Sequence, residues 1–277
     1  MIQNFSYHTH TNFSDGKNSL EEMLARAVEL GWKEIGISDH MIIHRNLKNS
    51  KSWERWKTDA HIYHNDFSST YEDFARHAEN VRKVSEHFNI NVKVGAEVDF
   101  FTYSGWIDSF LKLKEKLGLD YYISGNHYLF IDDECENIID IKDTELLPYE
   151  EQVSALKRHF KTIGKAAESG IFSFIAHLDY ARKAKICGKD DFVNEKLELI
   201  KTLAATDTAT ELSTKGLRKG DDFYPNSNML KEIAKNNIKV VISDDAHRIC
   251  ELGYKFTEAE EALKNAKILN RWTYVQK

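Results

Sequence analysis

Two hydrophobic periods alternate along the chain and predict alternating β-strands and α-helices. Short runs rich in β-branched and aromatic residues end in a polar residue or a histidine, and longer runs with apolar residues three and four positions apart follow them. The short runs predict seven strands, at residues 3–8, 34–38, 92–98, 121–125, 172–176, 209–212 and 239–243. The longer runs predict helices, among them residues 20–30, 74–88, 149–169, 193–205 and 257–265.

The first predicted helix carries a signal at each of its ends. Ser19 and Glu22 have the spacing of a capping box, in which each side chain accepts a hydrogen bond from the other residue's backbone N–H. Gly31 follows the apolar stripe, and glycine commonly ends a helix because it adopts the left-handed conformation without strain. Together with the preceding strand, this helix forms the first β-loop-α unit of the predicted fold.

Residues 41–69 break this alternation after the second strand, and they predict an insertion. The segment carries several aromatic and imidazole side chains: Trp53, Trp56, His61 and His64. Either it forms a lid that excludes water and cups a bound substrate, or it packs as a satellite hydrophobic cluster. The sequence leaves both interpretations open.

Alternating strands and helices are typical of an α/β fold with a parallel sheet, which is either open or closed as a barrel. Seven units favour closure into a TIM-like barrel, and 277 residues is a length that one such barrel commonly reaches. We therefore predict a single domain over residues 1–277, with the insertion after strand two. In a barrel the chemistry collects at the carboxyl ends of the strands.

The overall charge disfavours several kinds of partner. The chain has 38 Lys and Arg against 44 Asp and Glu, so its net charge of −6 leaves no basic excess for nucleic acid or anionic lipid. No apolar run reaches the roughly 18 residues of a membrane span, and no signal peptide is evident. Cys135, Cys187 and Cys250 lie far apart, which fits reduced thiols. We expect a cytoplasmic protein without nucleic-acid or membrane partners.

Histidines and acids stand at the ends of six of the predicted strands. In an extended segment residues two apart point the same way, so His8 and His10 enter one cavity together, as do Asp245 and His247. Because the strand ends of a barrel meet at one face, we expect one metal site built from His8, His10, Asp15, His40, Glu97, His127, His177, Asp245 and His247. Imidazoles and carboxylates suit zinc, manganese or iron.

The number of these residues bears on the number of ions. Nine ligands exceed what one ion can use, which predicts two or three divalent ions that share a carboxylate. Glu97, inside the third strand, is the natural bridge. Four further histidines lie away from the strand ends, and we expect them at the surface: His44, His77, His87 and His159.

The order of the strand-end residues resembles that of the polymerase-and-histidinol-phosphatase (PHP) superfamily. Members of this superfamily carry a His-x-His start, internal histidines and a closing Asp-x-His on a distorted seven-stranded (β/α)7 barrel. Here His8-Thr9-His10 and Asp245-Ala246-His247 stand at the two ends of the pattern. The likeness covers nearly the whole chain, and it implies the same distorted TIM-like barrel.

The resemblance also implies how the ligands are divided among the ions. Three groups would each hold one metal: His8, His10, Glu97 and Asp245; Glu97, His127 and His177; and Asp15, His40 and His247. Many members read Ser-Asp-Ala-His near the end, whereas residues 243–247 of this chain contain two aspartates in succession. Alignment on Ala-His makes Asp245 the ligand and leaves Asp244 as the alternative.

Within the superfamily, the chain is most similar to histidinol-phosphate phosphatases of the monofunctional bacterial type. The supporting segments are residues 177–183, 211–219 and 252–256. The likeness implies that the substrate is a small phosphomonoester, L-histidinol phosphate, hydrolysed to L-histidinol and phosphate in histidine biosynthesis. It also implies catalytic roles for Glu97, Asp245, His247 and Arg218.

Three cations follow the fifth and sixth predicted strands, at the face where the metals are expected. They are Arg182, Lys183 and Arg218. An arginine fork matches phosphate oxygens two at a time, so these residues are candidates for binding the phosphomonoester. The alternative is that they are solvated loop charges.

The chemistry of hydrolysis leaves several roles open. Bound metal ions lower the pKa of water from about 15.7 toward 7, so no nucleophilic side chain is required. Asp99, Asp179, Asp244 or a bound water are alternative donors of the proton to the leaving group. Asp39 and Asp179, near His40 and His177, either orient those rings or are ordinary loop acids.

Two other functions fit the same residues. The first is a phosphoesterase of this type acting on a nucleotide, a sugar phosphate or a phosphodiester. The second is a metal-binding barrel without catalytic activity. Phosphate release from histidinol phosphate, compared with a panel of other esters, separates these alternatives.

Overall fold

The computed structural model describes residues 2–188 and 191–274, except for the side chains of residues 58–60. Its strands are β1 (Glu34–Ile37), β2 (His40–Ile43), β3 (Tyr63–His64), β4 (Asn91–Val98), β5 (Tyr121–Ser124), β6 (Tyr128–Phe130), β7 (Ile138–Asp140), β8 (Phe174–Ile175), β9 (Ala209–Ser213) and β10 (Val240–Ser243). Its helices are α1 (Leu20–Glu29), α2 (Trp53–Trp56), α3 (Phe67–Ser85), α4 (Trp106–Leu117), α5 (Tyr149–Glu168), α6 (Val193–Ala205), α7 (Lys215–Lys219), α8 (Ser227–Lys235) and α9 (Phe256–Asn265).

Parallel strands close into a barrel with seven positions, counted over the described residues. β1 and β2 pair in succession with the two halves of β4, so together they occupy one position. The order then continues through β5, β8, β9 and β10 in parallel register. The segment before α1 closes the ring, because Gly36 N–H donates to Ser6 O on one side and His10 N–H donates to Ala246 O on the other, both at 2.8 Å. The predicted α/β barrel is confirmed.

The first barrel position departs from the strand predicted at residues 3–8. The segment is extended, but in the described part of the chain it forms only an isolated bridge, between Thr9 and Ala246. Side-chain hydroxyls replace regular ladder bonds here: Thr9 Oγ1 donates to Gly36 O at 2.6 Å, and Ser38 Oγ accepts from Thr9 N–H at 3.1 Å. Local hydroxyl–backbone bonds of this kind compete with regular secondary structure.

The excursion after the second barrel position starts later than the predicted insertion at residues 41–69. β2 continues the barrel, and the excursion runs over residues 44–66 until Asp66 caps α3 by accepting from the N–H groups of Ser68 and Ser69. The helix therefore begins seven residues before position 74. The apolar stripe did not reveal this start because the first turn of α3 is largely polar.

The aromatic residues of this excursion belong to the protein core. Trp56 is 1% exposed and packs against the rings of Tyr63 and Tyr128. Trp53 is half-buried against the same core. Trp53 and Trp56 thus pack in a hydrophobic cluster, as the second of the two interpretations expects. This cluster is continuous with the main core and is not a separate satellite. His61 lies with Nε2 2.9 Å from Ser14 O, next to the loop that carries Asp15.

A short hairpin, formed by β6 and β7, was not predicted from the sequence. Each strand has three residues, all buried, which is too short to show a period. The hairpin is joined to the excursion, because Ser50 Oγ donates to Ile138 O at 2.7 Å and Ser52 Oγ accepts from Asp140 N–H at 3.1 Å. It therefore ties the segment after His127 to the segment after β2.

Two apolar clusters stabilise the barrel. The larger cluster packs the helices against the outside of the strands. The smaller one lies inside the barrel and consists of Tyr7, Tyr121, Ile123, Phe174, Ala209 and Val241. Gly36 and Gly95 leave room for the ring of Tyr121, since a Cβ at either position would overlap it. The barrel floor is therefore filled by aromatic rings. None of the described helices has the length and hydropathy needed to cross a bilayer.

The prediction that four histidines lie at the surface is wrong for three of them. His44, His77 and His159 are 0%, 6% and 1% exposed, whereas His87 is exposed. A neutral imidazole packs like a small aromatic ring when its nitrogens find partners or apolar contacts. The ring of His77 lies parallel to that of Phe13 at 3.8 Å, and its Nε2 lies 3.0 Å from Asp39.

His44 is held as a neutral ring in this interior. Its Nε2 donates to Cys135 O at 3.2 Å, and its Nδ1 accepts from Asn46 N–H, also at 3.2 Å. Burial, reinforced by the charge of Arg45, lowers the pKa of His44 to about 4. Protonation of Nδ1 would remove the acceptor that Asn46 uses.

We expect His44 to make the protein less stable as the pH falls from about 6.5 to 4. The unfolded chain takes up the proton near its ordinary pKa of about 6.5, while the folded state resists it until about pH 4. The contribution is therefore fully present above pH 6.5 and is lost on acidification, with an upper limit of about 3 kcal/mol. Urea denaturation at pH 7, 6 and 5 measures it.

The matched comparison uses His44→Gln and His87→Gln. The glutamine at position 44 does not titrate, so the free energy of unfolding should depend less on pH than in the wild type. His87 is exposed, and its replacement should leave the pH dependence unchanged. Parallel pH profiles for the wild type and His44→Gln would contradict the assignment.

Candidate metal centre

The carboxyl ends of the barrel strands bring all nine predicted ligands into one pocket. They come from the segment before α1, the start of β2, β4 and the loops after β5, β8 and β10: His8, His10, Asp15, His40, Glu97, His127, His177, Asp245 and His247. Seven of them are buried, and Asp15 and His247 are half-buried at the mouth. His10 and His247, from opposite ends of the sequence, thus face one another with ring centres 4.2 Å apart.

Glu97 lies at the centre of the pocket, and its two oxygens face different imidazoles. Oε1 lies 2.9 Å from His177 Nε2 and 3.5 Å from His127 Nε2. Oε2 lies 3.2, 3.4 and 3.0 Å, respectively, from ring nitrogens of His8, His10 and His40. A carboxylate divided in this way has the geometry of a ligand shared by two cations.

The two aspartates complete the arrangement from opposite sides. Asp245 Oδ1 lies 3.3 Å from His10 Nε2 and 3.4 Å from His247 Nδ1. Asp15 Oδ1 lies 3.1 Å from His247 Nε2 and 3.5 Å from His40 Nε2. Asp15 has His40 and His247 as neighbours, which is one of the ligand groups that the resemblance implies. The other two groups are not separate, because Glu97 Oε2 also lies near His40 and Asp245 Oδ1 also lies near His247.

Of the two successive aspartates, Asp245 faces the histidines and Asp244 does not. Asp244 accepts hydrogen bonds from Ser6 Oγ and Gly253 N–H, both at 2.7 Å. The backbone turns sharply here, since Asp245 has φ +47°; His177, at another strand end, has φ +23°. Non-glycine residues in this region carry strain, which is commonly found where side chains are aimed into a functional site.

The donor set fits divalent cations. Several buried atoms lack a hydrogen-bond partner and face one another, including His8 Nε2, His10 Nε2, Asp15 Oδ1, Glu97 Oε2 and Asp245 Oδ1. Lone pairs of imidazoles and carboxylates repel at such distances unless a proton or a metal cation lies between them. Four overlapping groups of three or four donors have their atoms within 4.8 Å of one another.

The protonation states of the candidate ligands differ from one residue to another. Burial opposes ionisation of Glu97, but the surrounding imidazoles, His8 foremost, hold the pKa of its carboxyl well below the ordinary value. Burial lowers the pKa of His10 to about 3, with His247 and His40 acting in the same direction. Glu97 is therefore an anion and His10 a neutral ring, which are the forms that bind metals. Although burial opposes it, nearby carboxylates raise the pKa of His8 well above its ordinary value and that of His40 to about 9, so these two rings release a proton when a metal binds.

Two carboxylates behind the ligands orient the rings. Glu211 Oε2 lies 2.8 Å from His8 Nδ1, and its Oε1 accepts from His177 N–H at 2.9 Å. Asp99 Oδ2 lies 3.0 Å from His127 Nδ1. Each ring consequently presents Nε2 to the pocket. Glu211 was not predicted in this role, although its position two residues after the inward-facing Ala209 on one strand places it on the same face.

The acids proposed as neighbours of His40 and His177 have other partners. Asp39 accepts from Thr11 N–H at 2.7 Å and thereby holds the loop that carries Asp15. Asp179 accepts from Asn226 N–H at 3.0 Å and pairs with Arg182 at 2.9 Å. Both acids organise loops of the pocket and do not contact the adjacent rings through a hydrogen bond in the described chain.

The three candidate cations from the sequence have different surroundings. Arg182 donates to Phe223 O at 2.6 Å in addition to its pair with Asp179. Arg218 donates from Nη1 to Asp244 O at 2.8 Å and from Nη2 to Asp245 O at 2.9 Å, so it clamps the strained turn. Lys183 is half-buried, with Nζ 5.7 Å from the centre of the Tyr224 ring.

One cation at the pocket was absent from the predicted set. Lys215 Nζ lies 2.7 Å from Asp245 Oδ2, and the side chain is 16% exposed. Burial opposes its charge, but Asp245 raises the pKa of the amine. Lys215 lies two residues after the sixth barrel strand. The rule that strand ends meet at one barrel face therefore applies to this cation as it does to the candidate ligands.

Comparison with known proteins identifies a family and two relatives. A family model described as PHP domain matches residues 6–215. The chain is 23% identical over 264 residues to a probable histidinol-phosphatase of Deinococcus radiodurans, which covers 93% of this chain and 92% of that protein. It is 20% identical over 292 residues to a probable histidinol-phosphatase of Schizosaccharomyces pombe, covering 95% and 87%.

A solved structure supports the fold. Histidinol phosphate phosphatase from Lactococcus lactis, complexed with zinc, L-histidinol and phosphate, superposes with a TM-score of 0.67 at 15% identity. The match covers 98% of this chain and 97% of that chain. The family model spans most of the sequence, including the stretch from His8 to His177, and the chain therefore belongs to the PHP domain family.

Proposed function

We propose that the protein is a metal-dependent phosphomonoesterase that hydrolyses L-histidinol phosphate to L-histidinol and phosphate in histidine biosynthesis. The observation that carries the proposal is the shared carboxylate of Glu97, with imidazoles on both of its oxygens. Two full-length relatives named as probable histidinol-phosphatases support the choice of substrate, as does the Lactococcus lactis complex with L-histidinol and phosphate.

The pocket would hold two or three divalent ions, with zinc, manganese and iron as candidates. The nine residues already described would be the ligands, and Glu97 would be shared between two ions. Such ions, when bound, lower the pKa of water and withdraw charge from phosphoryl oxygens, which supplies the hydrolytic chemistry. Zinc in the Lactococcus lactis enzyme makes it the first candidate to test.

The remaining polar residues position these groups. Glu211 and Asp99 hold the Nδ1 atoms of His8 and His127, so that each ring presents Nε2 to the pocket. Asp245 and His247 approach each other at the mouth, where Asp15 joins them. We retain Glu97, Asp245, His247 and Arg218 as the catalytic set.

Arg182, Lys183 and Arg218 are the proposed substrate-binding residues. All three follow β8 or β9 at the same barrel face as the ligands. Arg218 fits a second task as well, since its clamp on Asp244 O and Asp245 O fixes the turn that carries a ligand.

We also propose that residues 1–277 act as one domain in a reducing, cytoplasmic compartment. The first barrel position pairs with Ala246, so the two ends of the barrel sequence depend on each other. Cys135, Cys187 and Cys250 are all free thiols.

The test is phosphate release from L-histidinol phosphate by protein purified without chelator. The panel includes a nucleotide, a sugar phosphate and a phosphodiester, and elemental analysis gives the metal content. We expect histidinol phosphate to have the highest kcat/KM. Chelation should lower the rate by more than about 100-fold, and addition of one metal at a time should restore it.

Three results would refute different parts of the proposal. A preference for another ester by a metal-dependent enzyme would replace the substrate and keep the chemistry. An unchanged rate after complete removal of metal would exclude a metal-dependent mechanism. A loaded protein that hydrolyses none of the esters would favour a metal-binding barrel without catalytic activity.

A further inference from the structure

Lys215 brings an ammonium group to the edge of the metal centre. It is the first residue of α7, two positions after β9, and its side chain points toward Asp245. The Nζ–Oδ2 distance is 2.7 Å, and only 16% of the side chain is exposed. A lysine is seldom this buried unless its ammonium has an anionic partner, because removal of an ammonium from water is costly.

The carboxylate of Asp245 is divided between the lysine and the histidines. Oδ1 faces the ring nitrogens of His10 and His247, while Oδ2 faces Lys215. Lys215 therefore leaves free the oxygen that the histidines share. A metal ligand and an ammonium partner coexist on one carboxylate, so the lysine does not need to leave when a cation binds.

The ammonium of Lys215 has more donors than this contact uses. Three N–H groups are available, and over the part of the chain that the structure describes Asp245 is its one ion-pair partner. The nearby arginines are more committed to the protein, because Arg218 donates from Nη1 and Nη2 to two carbonyls and Arg182 donates from Nη2 to Phe223 O. Each arginine still keeps further N–H groups for a substrate. Lys215 thus has uncommitted N–H donors at the edge of the pocket.

We propose that Lys215 is a specificity-determining residue that binds a phosphoryl oxygen of the substrate beside the metal centre. One N–H stays on Asp245 Oδ2, and the remaining donors bind the oxygen. A phosphomonoester dianion suits this position, since its several equivalent oxygens contact metals and ammonium together. The proposal rests on the phosphomonoesterase function and adds a residue to it.

The experiment compares Lys215→Met, Lys215→Arg and Lys219→Met in the full-length, metal-loaded protein. Lys219 lies on the same helix but is exposed, so it is the matched control. Calorimetry gives the Kd of inorganic phosphate at saturating metal, and elemental analysis gives ions per chain. We expect Lys215→Met to weaken phosphate binding by about tenfold or more, the loss of one charge-assisted hydrogen bond.

The two remaining variants show whether the loss of phosphate affinity is due to the charge at position 215. Lys215→Arg should recover most of the affinity because it keeps the charge, and Lys219→Met should equal the wild type. The number of bound ions should stay the same in all three, since every ligand is retained. An unchanged phosphate Kd in Lys215→Met overturns the proposal. Weaker phosphate binding by Lys215→Met that is fully explained by a lower metal content also overturns it, because Lys215 would then act only through Asp245.

Failure of this proposal is distinguishable from failure of the proposed function. A wild-type protein that binds phosphate but hydrolyses no phosphomonoester would refute the function, while the comparison of phosphate Kd values still decides the role of Lys215. A wild-type protein that hydrolyses histidinol phosphate, with equal phosphate affinity in Lys215→Met, would refute the role of Lys215 alone.

Discussion

A Glu97→Gln protein is expected to lose bound metal and nearly all phosphatase activity. The amide has the shape of the carboxylate but keeps one acceptor oxygen, so it cannot serve the imidazole groups on both sides of Glu97. It also removes the negative charge that offsets the cations. Replacing residues that only orient metal ligands costs about 10- to 100-fold, and we expect a larger loss for a shared ligand.

Elemental analysis and phosphate release measure this effect on the same preparation. Glu198→Gln is the matched control, because Glu198 lies on the exposed face of α6 and pairs only with Lys201 at 2.7 Å in the described chain. Thermal unfolding without metal checks that the Glu97→Gln protein is folded. Wild-type metal content and rate in that protein would contradict the shared-ligand role.

The meeting of the candidate ligands could be predicted from the sequence because of a property of parallel barrels. Strand ends meet at one face, so His127 and His177 come together although 50 residues separate them. The pattern predicted which residues meet without predicting any distance. Which of Asp244 and Asp245 faces the histidines depends on the local backbone turn, which a strand-end argument does not resolve.

The fold was predictable where the hydrophobic period was long enough to read. Seven barrel positions followed from seven apolar runs, whereas the break between β1 and β2 was not visible. The break occurs at Ser38 and Asp39, whose side chains bind the first barrel segment at Thr9 and Thr11. The sequence pattern does not show which residues so far apart will form hydrogen bonds in the folded chain.

Buried polar residues were the main source of error. His44 and His77 occupy positions with no apolar pattern, and each is buried because specific partners satisfy its ring, such as Cys135 O and Asp39. Glu211 and Lys215 were overlooked for the same reason. A polar residue in the interior is stabilised by particular partners, and the sequence does not show which partners will be adjacent.

Gly125→Ala is expected to weaken metal binding, although Gly125 is not one of the candidate ligands. A Cβ at this position would lie 2.5 Å from Glu97 Oε1 and 2.7 Å from His127 Cε1, closer than such atoms approach in proteins. Glu97 cannot move aside, because imidazoles surround both of its oxygens. We expect metal affinity to fall by about 10- to 100-fold and the free energy of unfolding to fall by about 1–3 kcal/mol.

Gly164→Ala separates this effect from the general cost of adding a methyl group. Gly164 lies inside α5, and a Cβ there would contact only Thr202 at ordinary distances of 3.8 and 3.9 Å. Alanine favours the helix by up to about 1 kcal/mol, so this variant should be as stable as the wild type or more stable, with full activity. Metal titration and urea denaturation of both variants give the comparison. If Gly125→Ala bound metal as tightly as Gly164→Ala, the space next to Glu97 would be large enough for a methyl group. Tight packing of Gly125 against Glu97 would then not be what holds the candidate ligands in place.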